Sequence, residues 1–493
     1  MEATNATNAG NAPTGGAPDH RMFIAGKWTD AADGARITSI NPATEQPLGC
    51  VPDAHPDDLD QAVAAAVDAA PGWAAAGWQQ RASLLREFCA RITERAAELA
   101  ELDTRDSGNP ITGMRYDLAS TPPEILYYAG IGSEAKGFTA PTGPETLAYT
   151  TRQPYGVVAR IIPFNHPFKF AAGKIAAPLA AGNCVLLKPA EQTPLSAIEL
   201  ARLAEDLFPP GVLSVLTGTG PRIGAAIASH PGVPRVAFTG SVPTGRAVLA
   251  AGAPHIKHVT LELGGKNPII VFPDVDPAKA ARAAITAMNL ARSNGQSCGS
   301  ASRVFVHDDI RGPFLEALVR GVQELRVGDP LDDSTEIGPL AFERHYQRVL
   351  SYIAAGRDEG ATLLTGGDRP STLDRGYFIR PAVFADVTDQ MTIAREEIFG
   401  PVISVLGWRD VDNVVRRANA VEYGLTANVW TRDISVAHRL VQRLDAGYVY
   451  VNGTGRRPTG TAFGGWKQSG IGKENSLEEL LSYTREKSVA VTL

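Results

Sequence analysis

Short β-branched runs alternate with helical patterns over residues 156–262, and no other feature of the chain restricts its fold so tightly. Gly156-Val157-Val158-Ala159-Arg160-Ile161-Ile162 precedes a helix expected after Pro167. Runs at 184–187, 212–216, 236–238 and 259–262 follow, with helical patterns at 195–207, 222–229 and 244–250 between them. Strands separated by helices build βαβ units and a parallel sheet. A second alternating series begins at Asn267-Pro268-Ile269-Ile270-Val271 and continues through 303–306, 402–405, 427–430 and 448–451. Two open-sheet α/β domains are therefore expected. Upstream, 57–102 reads as helical, capped by Asp57 and Asp58, broken at Pro71-Gly72 and resumed over 80–98. The Thr- and Pro-rich stretch 137–152 and the last residues, 488–493, read as extended ribbon.

The 493 residues leave room for about three domain-sized units. With 47 basic against 53 acidic residues the formal charge is −6, the wrong sign for a chain whose main partner is nucleic acid or an anionic membrane. Apolar stretches such as 170–185 are interrupted by Lys174, Gly182 and Asn183 and fall short of a membrane span. Residues 1–20 show no basic cluster ahead of an apolar core, so they read as disordered tail and not as a signal peptide. Four cysteines, Cys50, Cys89, Cys184 and Cys298, are too few for a disulfide scaffold and form no CxxC pair. No metal site is expected, and the compartment expected is the reducing cytoplasm.

Cys298 stands among small and polar neighbours in Asn294-Gly295-Gln296-Ser297-Cys298-Gly299-Ser300, whereas Cys184 stands in an apolar strand. A thiol so placed is either an accessible nucleophile or a plain turn cysteine. Glu262, in Leu261-Glu262-Leu263-Gly264-Gly265-Lys266-Asn267-Pro268, ends a strand as a general base or as a surface acid. Asn165, in Pro163-Phe164-Asn165-His166-Pro167, is a turn residue or an amide donor to an oxyanion. Lys188-Pro189-Ala190-Glu191 closes the second strand, at the end where open α/β sheets bind ligands. Thr217-Gly218-Thr219-Gly220, leading to Gly224, and Phe238-Thr239-Gly240-Ser241, leading to Gly245, offer backbone N–H groups to a phosphate. Neither has GxGxxG spacing.

Taken in order, these segments resemble the motifs of the aldehyde dehydrogenase superfamily, together with Glu397-Ile398-Phe399-Gly400-Pro401 and Phe463-Gly464-Gly465-Trp466-Lys467-Gln468-Ser469-Gly470. The resemblance covers residues 20–493. It implies two Rossmann-like α/β domains, one for NAD (21–136 and 153–265) and one catalytic (266–465). A small β flap, 137–152 with 480–493, would join subunits into a homodimer or homotetramer. By the same resemblance Cys298 attacks the aldehyde carbon, and its backbone N–H and the Asn165 amide hold the oxyanion. Hydride passes to the nicotinamide, and Glu262 activates the water that hydrolyses the resulting thioester. CoA-acylating relatives lack this base, so its presence implies the hydrolytic branch. Lys188 and Glu191 match contacts to the adenosine ribose, Glu397 a contact to the nicotinamide ribose, Phe399 a neighbour of the nicotinamide, and Ser241 a pyrophosphate contact. Ile162, Pro163, Phe164, Gly220, Gly224, Phe238, Gly240 and Leu263 complete the cofactor set. Glu191 accepts from a 2′-hydroxyl and repels a 2′-phosphate, which favours NAD, with NADP as the alternative.

Three positions depart from the family pattern. Phe164 replaces the usual Trp, Ala462 a frequent Pro, and His166 an aromatic or aliphatic residue. His166 is either a pocket ligand or a polar wall residue. The implied substrate walls are His166, Phe170 and Gly173, Ser297 and Gly299, Phe463, and the loop 453–461. In that loop Arg456 and Arg457 form a solvated surface pair, or one faces the tunnel and pairs with an anionic substrate such as a semialdehyde. The competing readings are a semialdehyde-specific or NADP-using member and an inactive structural protein on the same fold. The intact Cys298, Glu262 and Asn165 argue against the last.

Overall fold

The structure, a computed structural model, describes residues 18–455 and 457–493. The first strand series forms a parallel core in the order Leu213–Val215, Cys184–Lys188, Val157–Ile161, Arg235–Thr239, His258–Glu262. Met22–Ile24 and Lys27–Thr29 extend one edge antiparallel, and Gly470–Ile471 extends the other. Every residue of Val157–Ile161 and Cys184–Lys188 is buried, as expected of strands covered on both faces. The chain's direction across the sheet reverses at Val157–Ile161, whose successor lies on one side and Arg235–Thr239 on the other. Such a switch point opens a crevice beyond the carboxyl ends of the strands. The segments that emerge there are 162–165 and 240–241.

The second series forms a seven-stranded sheet in the order Thr362–Thr365, Ala382–Ala385, Val402–Trp408, Arg303–His307, Pro268–Val271, Thr426–Trp430, Tyr448–Val451. It is parallel except for its first pair. Alternate side chains feed two cores: Phe305 packs with Val349 and Phe384 on one face, Val304 with Phe314 and Leu318 on the other. A separate antiparallel ribbon pairs Thr146–Pro154 with Thr484–Thr492 along its whole length, with Thr139–Ala140 on the far side. Among the described residues no helix is long and apolar enough to cross a membrane.

Three expectations need correction, and one helix was not foreseen. The helix Pro56–Ala75 runs through Pro71. A proline this close to a helix end removes one backbone bond, and the buried Trp73 anchors the final turn (2% exposed). The break falls instead at Gly77, whose φ is 75°. Helix Ile111–Ile131 had no signal, because Pro122 and Pro123 lie inside it, its buried stripe carries the polar Asp117 and Thr121, and Tyr116 and Leu126 are exposed. The C-terminal ribbon starts at Thr484, since Leu477–Ser482 is a helix. Finally, 18–20 belong to the fold: His20 N–H donates to Cys50 O at 2.9 Å and Cys50 N–H to Pro18 O at 3.0 Å. The rest of the expected tail, 1–17, lies outside the described residues.

The C-terminal segment is tied to the first sheet by buried charge. Arg160, 2% exposed, donates to Glu474 Oε1 at 3.0 Å and to Tyr483 Oη at 2.6 Å. Lys174 is a second partner of Glu474, and Arg235 lies 4.0 Å over the Tyr483 ring. Glu474→Ala would leave two buried cations unpaired. It is expected to lower stability by about 3–5 kcal/mol, read as a fall of several degrees in the midpoint of thermal inactivation at fixed scan rate.

Candidate active site

Cys298 is presented by a loop pinned on both sides. The short helix Leu290–Ser293 ends in two left-handed residues, Asn294 (φ 55°) and Gly295 (φ 74°). At Gly295 a Cβ would stand 2.7 Å from the backbone of Gly400, so only glycine lets the two segments meet. Asn294 Nδ2 donates to Gly108 O (3.1 Å) and Pro339 O (2.8 Å), and its Oδ1 accepts from Gly338 N–H at 2.7 Å. On the other side Asn267 Nδ2 donates to Cys298 O (2.7 Å) and Ser300 O (2.9 Å), while its Oδ1 accepts from Thr426 N–H at 2.9 Å. The Cys298 side chain is half-buried.

Asn165 faces this loop. One of its amide hydrogens goes to Gln296 O at 2.8 Å and the second has no partner among the described residues, while Asn109 Nδ2 fixes the Asn165 backbone carbonyl at 2.8 Å. Glu262 is no surface acid. It is 7% exposed, and its Oε1 has no hydrogen-bond partner among the described residues. Cys298, Asn165 and Glu262 line one solvent-open cavity of about 1020 Å³. His166, Phe170, Ser297, Arg457 and Phe463 line the same cavity, whereas Arg456 lies outside the described residues.

Burial dominates the electrostatics. It pushes Glu262 above the ordinary carboxylate range, against the pull of Lys174, and pushes Lys174 down to about 8. Burial also pushes the Cys298 thiol up to about 11, and the charges of Glu397 and Glu262 add to it. Lys174 is a site residue that the motifs did not reveal. Its signal was helical spacing, for His166, Phe170 and Lys174 stand four apart on or just before helix Pro167–Ala180. Asp117 and Arg292 were also missed. His166 Nδ1 lies 2.5 Å from Asp117 Oδ2, and Arg292 Nε donates to Asp117 Oδ1 at 3.0 Å. Burial lowers the His166 pKa, and His166, Arg292 and Lys169 hold Asp117 ionised despite its own burial.

The expected cofactor residues fall along the carboxyl edge of the first sheet. Ile162 N–H donates to Lys188 O and Gly240 N–H to Glu262 O, both at 3.0 Å. Lys188 Nζ lies 3.3 Å from Glu191 Oε2 and helps keep that carboxylate ionised against burial. Ser241 caps helix Val242–Gly252, its Oγ accepting from Thr244 N–H at 3.4 Å. Gly245 lets that helix sit on Leu263, which a Cβ would meet at 2.6 Å. Gly220 and Gly224 follow the outermost parallel strand, Leu213–Val215, and a Cβ at either would meet nothing within 4 Å. Glu397 Oε1 accepts from Gly265 N–H at 2.9 Å, and Phe164 packs on Phe399 with centroids 5.6 Å apart. Phe399 has a φ of 59°, a conformation that costs about 1–3 kcal/mol. His345, also missed, holds it by donating Nε2–H to Phe399 O at 2.7 Å. Buried Lys188, a capped helix start and open glycine backbone suit an anionic, ribose-bearing dinucleotide.

A family model described as the aldehyde dehydrogenase family matches residues 28–489. The chain belongs to that family. Among solved structures, aldehyde dehydrogenase from Bacillus cereus in its NAD+ complex is 42% identical, with a TM-score of 0.94, covering 96% of this chain and 97% of that one. NAD-dependent aldehyde dehydrogenase from Sinorhizobium meliloti is 38% identical, with a TM-score of 0.93 and coverage of 96% and 95%. PnpE from Pseudomonas sp. WBC-3 is 36% identical, with a TM-score of 0.94 and coverage of 96% and 98%.

For this aldehyde dehydrogenase the thiol environment has a direct readout in the protein alone. Because the thiol pKa is raised, thiolate grows about tenfold per pH unit below it. Alkylation of Cys298 by iodoacetamide, followed by mass spectrometry, should accelerate through pH 9 without a plateau. Glu397→Gln removes a neighbouring negative charge and should shift the profile to lower pH. A plateau in the wild type at neutral pH would contradict this account.

Proposed function

We propose that the chain oxidises an aldehyde to a carboxylic acid with NAD+, through a thioester on Cys298 that water hydrolyses. The observation that carries this reading is the convergence of Cys298, Asn165 and the orphaned Glu262 carboxylate on one cavity. Lys188, Glu191, Ser241 and Glu397 would hold NAD+, which when bound would supply the hydride acceptor. The Cys298 thiolate adds to the aldehyde carbon. Negative charge then develops on the carbonyl oxygen, where the free Asn165 N–H and the Cys298 backbone N–H stabilise it by about 3–4 kcal/mol per donor. After hydride loss the carbon is a thioester. Glu262 takes a proton from water as the water attacks, the acid departs and the thiol is restored. A buried carboxylate of raised pKa suits a base that works near neutral pH, and the nearby Lys174 keeps the ionised form within reach.

Glu191 supports NAD over NADP, since a carboxylate kept ionised by Lys188 repels a 2′-phosphate. Assembly into a homodimer or homotetramer is supported by the nine-residue edge strand Thr484–Thr492, whose free edge is a ready pairing surface. A cytoplasmic location suits four free thiols, one of them the nucleophile.

NADH formation from a panel of aldehydes tests the reading. Cys298→Ser should abolish it. Glu262→Gln should release NADH in a single burst and leave a thioester adduct visible by intact-protein mass. In the wild type the hydrolytic step should speed up as pH rises through the raised pKa of Glu262, because only the deprotonated carboxylate is a base. Glu191→Gln should raise kcat/KM for NADP+ relative to NAD+ by about tenfold, as expected when a like-charge clash is removed. Absence of turnover with every aldehyde, or full turnover in Cys298→Ser, would overturn the proposal.

A further inference from the structure

The cavity at Cys298 adjoins an outer one of about 770 Å³, lined by Tyr116, Tyr127 and Pro458 among others. Lys169, Arg292 and Arg457 line both and therefore stand at the neck between them. Two of these cations are already matched. Lys169 Nζ lies 2.6 Å from Glu124 Oε1, and Arg292 is paired with Asp117. Arg457 differs from both. It forms no ion pair among the described residues, and its guanidinium lies 4.0 Å over the ring of Phe463. A guanidinium stacked on a ring keeps its edge N–H donors free for a planar, two-oxygen acceptor.

The inner cavity constrains what could bring that acceptor. Its sides carry rings, Phe170, Phe463 and Tyr450, which suit a flat apolar body. Its lining near the nucleophile also includes Glu262, a carboxylate with one unpartnered oxygen that disfavours a second anion there. An anionic aldehyde is thereby oriented, with the carbonyl toward Cys298 and the charge toward the neck. The charge of Arg457 also favours the ionised forms of Cys298 and Glu262, so it stands within electrostatic range of the reacting atoms.

We propose that the substrate is an aromatic or conjugated aldehyde bearing a carboxylate at the end remote from the carbonyl, and that Arg457 binds this carboxylate. The inference rests on the dehydrogenase reading and names its substrate class. Arg292, already paired, adds to the positive field at the neck and is not the primary contact.

The test compares kcat/KM for 4-carboxybenzaldehyde with that for its neutral isostere 4-formylbenzamide, using NAD+. Wild type, Arg457→Gln and Arg457→Lys are measured side by side. Wild type should prefer the carboxylate by at least about tenfold, the scale of one charge-assisted bidentate contact. Arg457→Gln should cut the ratio at least about tenfold, Arg457→Lys should retain part of it, and added salt should lower it in the wild type. Turnover of the amide with a wild-type ratio near one, or a ratio unchanged in Arg457→Gln, would overturn the substrate class while leaving the dehydrogenase reading intact. Failure to oxidise both probes and propanal would overturn the dehydrogenase reading and this inference with it.

Discussion

The reacting groups are held in register by the five residues that join the two sheets, 263–267. Leu263 N–H donates to Ser469 O at 2.9 Å and Gly264 O accepts from Ser469 Oγ at 2.7 Å, so the segment after Phe463 is fastened to the end of the first sheet. Gly265 N–H holds Glu397. Lys266 O accepts from Arg303 Nε at 2.9 Å, and Asn267 clamps the Cys298 loop. Neither glycine is there for its dihedral freedom, since neither has a positive φ. They are there for space. A Cβ at Gly264 would collide with the Glu397 carboxylate, and one at Gly265 would stand 2.8 Å from Cys298 O. One added carbon would therefore displace a cofactor residue or the nucleophile itself.

Around that hub the protein removes water from charged groups, and desolvation moves their pKa values toward neutrality. Glu397 rises to about 7 and Lys266 falls to about 7. Glu262 rises and Lys174 falls in the same manner. Proton movements among such groups cost little near neutral pH. The thiol is the exception, because both nearby carboxylates oppose its ionisation. Passing the thiol proton to Glu262 removes one of those opposing charges and leaves the net charge of the cavity unchanged. In a poorly solvated site that transfer is far cheaper than creating a lone thiolate. In the reaction proposed above the same carboxylate would then lose its proton before serving as base, so Glu262 would act in both halves by changing protonation state.

Much of this was legible because the groups proposed to react stand in or beside turns between elements, and such turns are marked by contiguous motifs. Cys298, Asn165 and Glu262 each sit in a run of six or so residues whose glycines and prolines announce a turn, and all three line the same cavity. The two sheets were legible for the same reason, since their strands are buried on both faces and read as unbroken apolar runs. Residues that act across the fold were not legible. Asp117 lies on a helix masked by its internal prolines, and only the folded chain brings it to His166. His345 carries no motif, and its contact with Phe399 joins residues 54 apart. Lys174 was within reach, because helix periodicity aligns it with Phe170, but its place in an apolar stretch disguised it.

The same distinction separates reaction from specificity. The chemistry is fixed by loops at the edge of one sheet and by the linker, where each residue has several partners and little freedom to change. The mouth of the cavity is built from one face of helix Ile111–Ile131, where Tyr116, Ser120, Pro123, Glu124 and Tyr127 recur at spacings of three and four, and from the loop 453–461. His166 links the two layers, and Arg292 does so through the same acid, Asp117. His166 follows directly after Asn165 in the chain, yet its ring is set by Asp117 on the mouth helix. One of the three residues that depart from the family pattern thus couples the segment carrying Asn165 to the entrance, through the acid across from it.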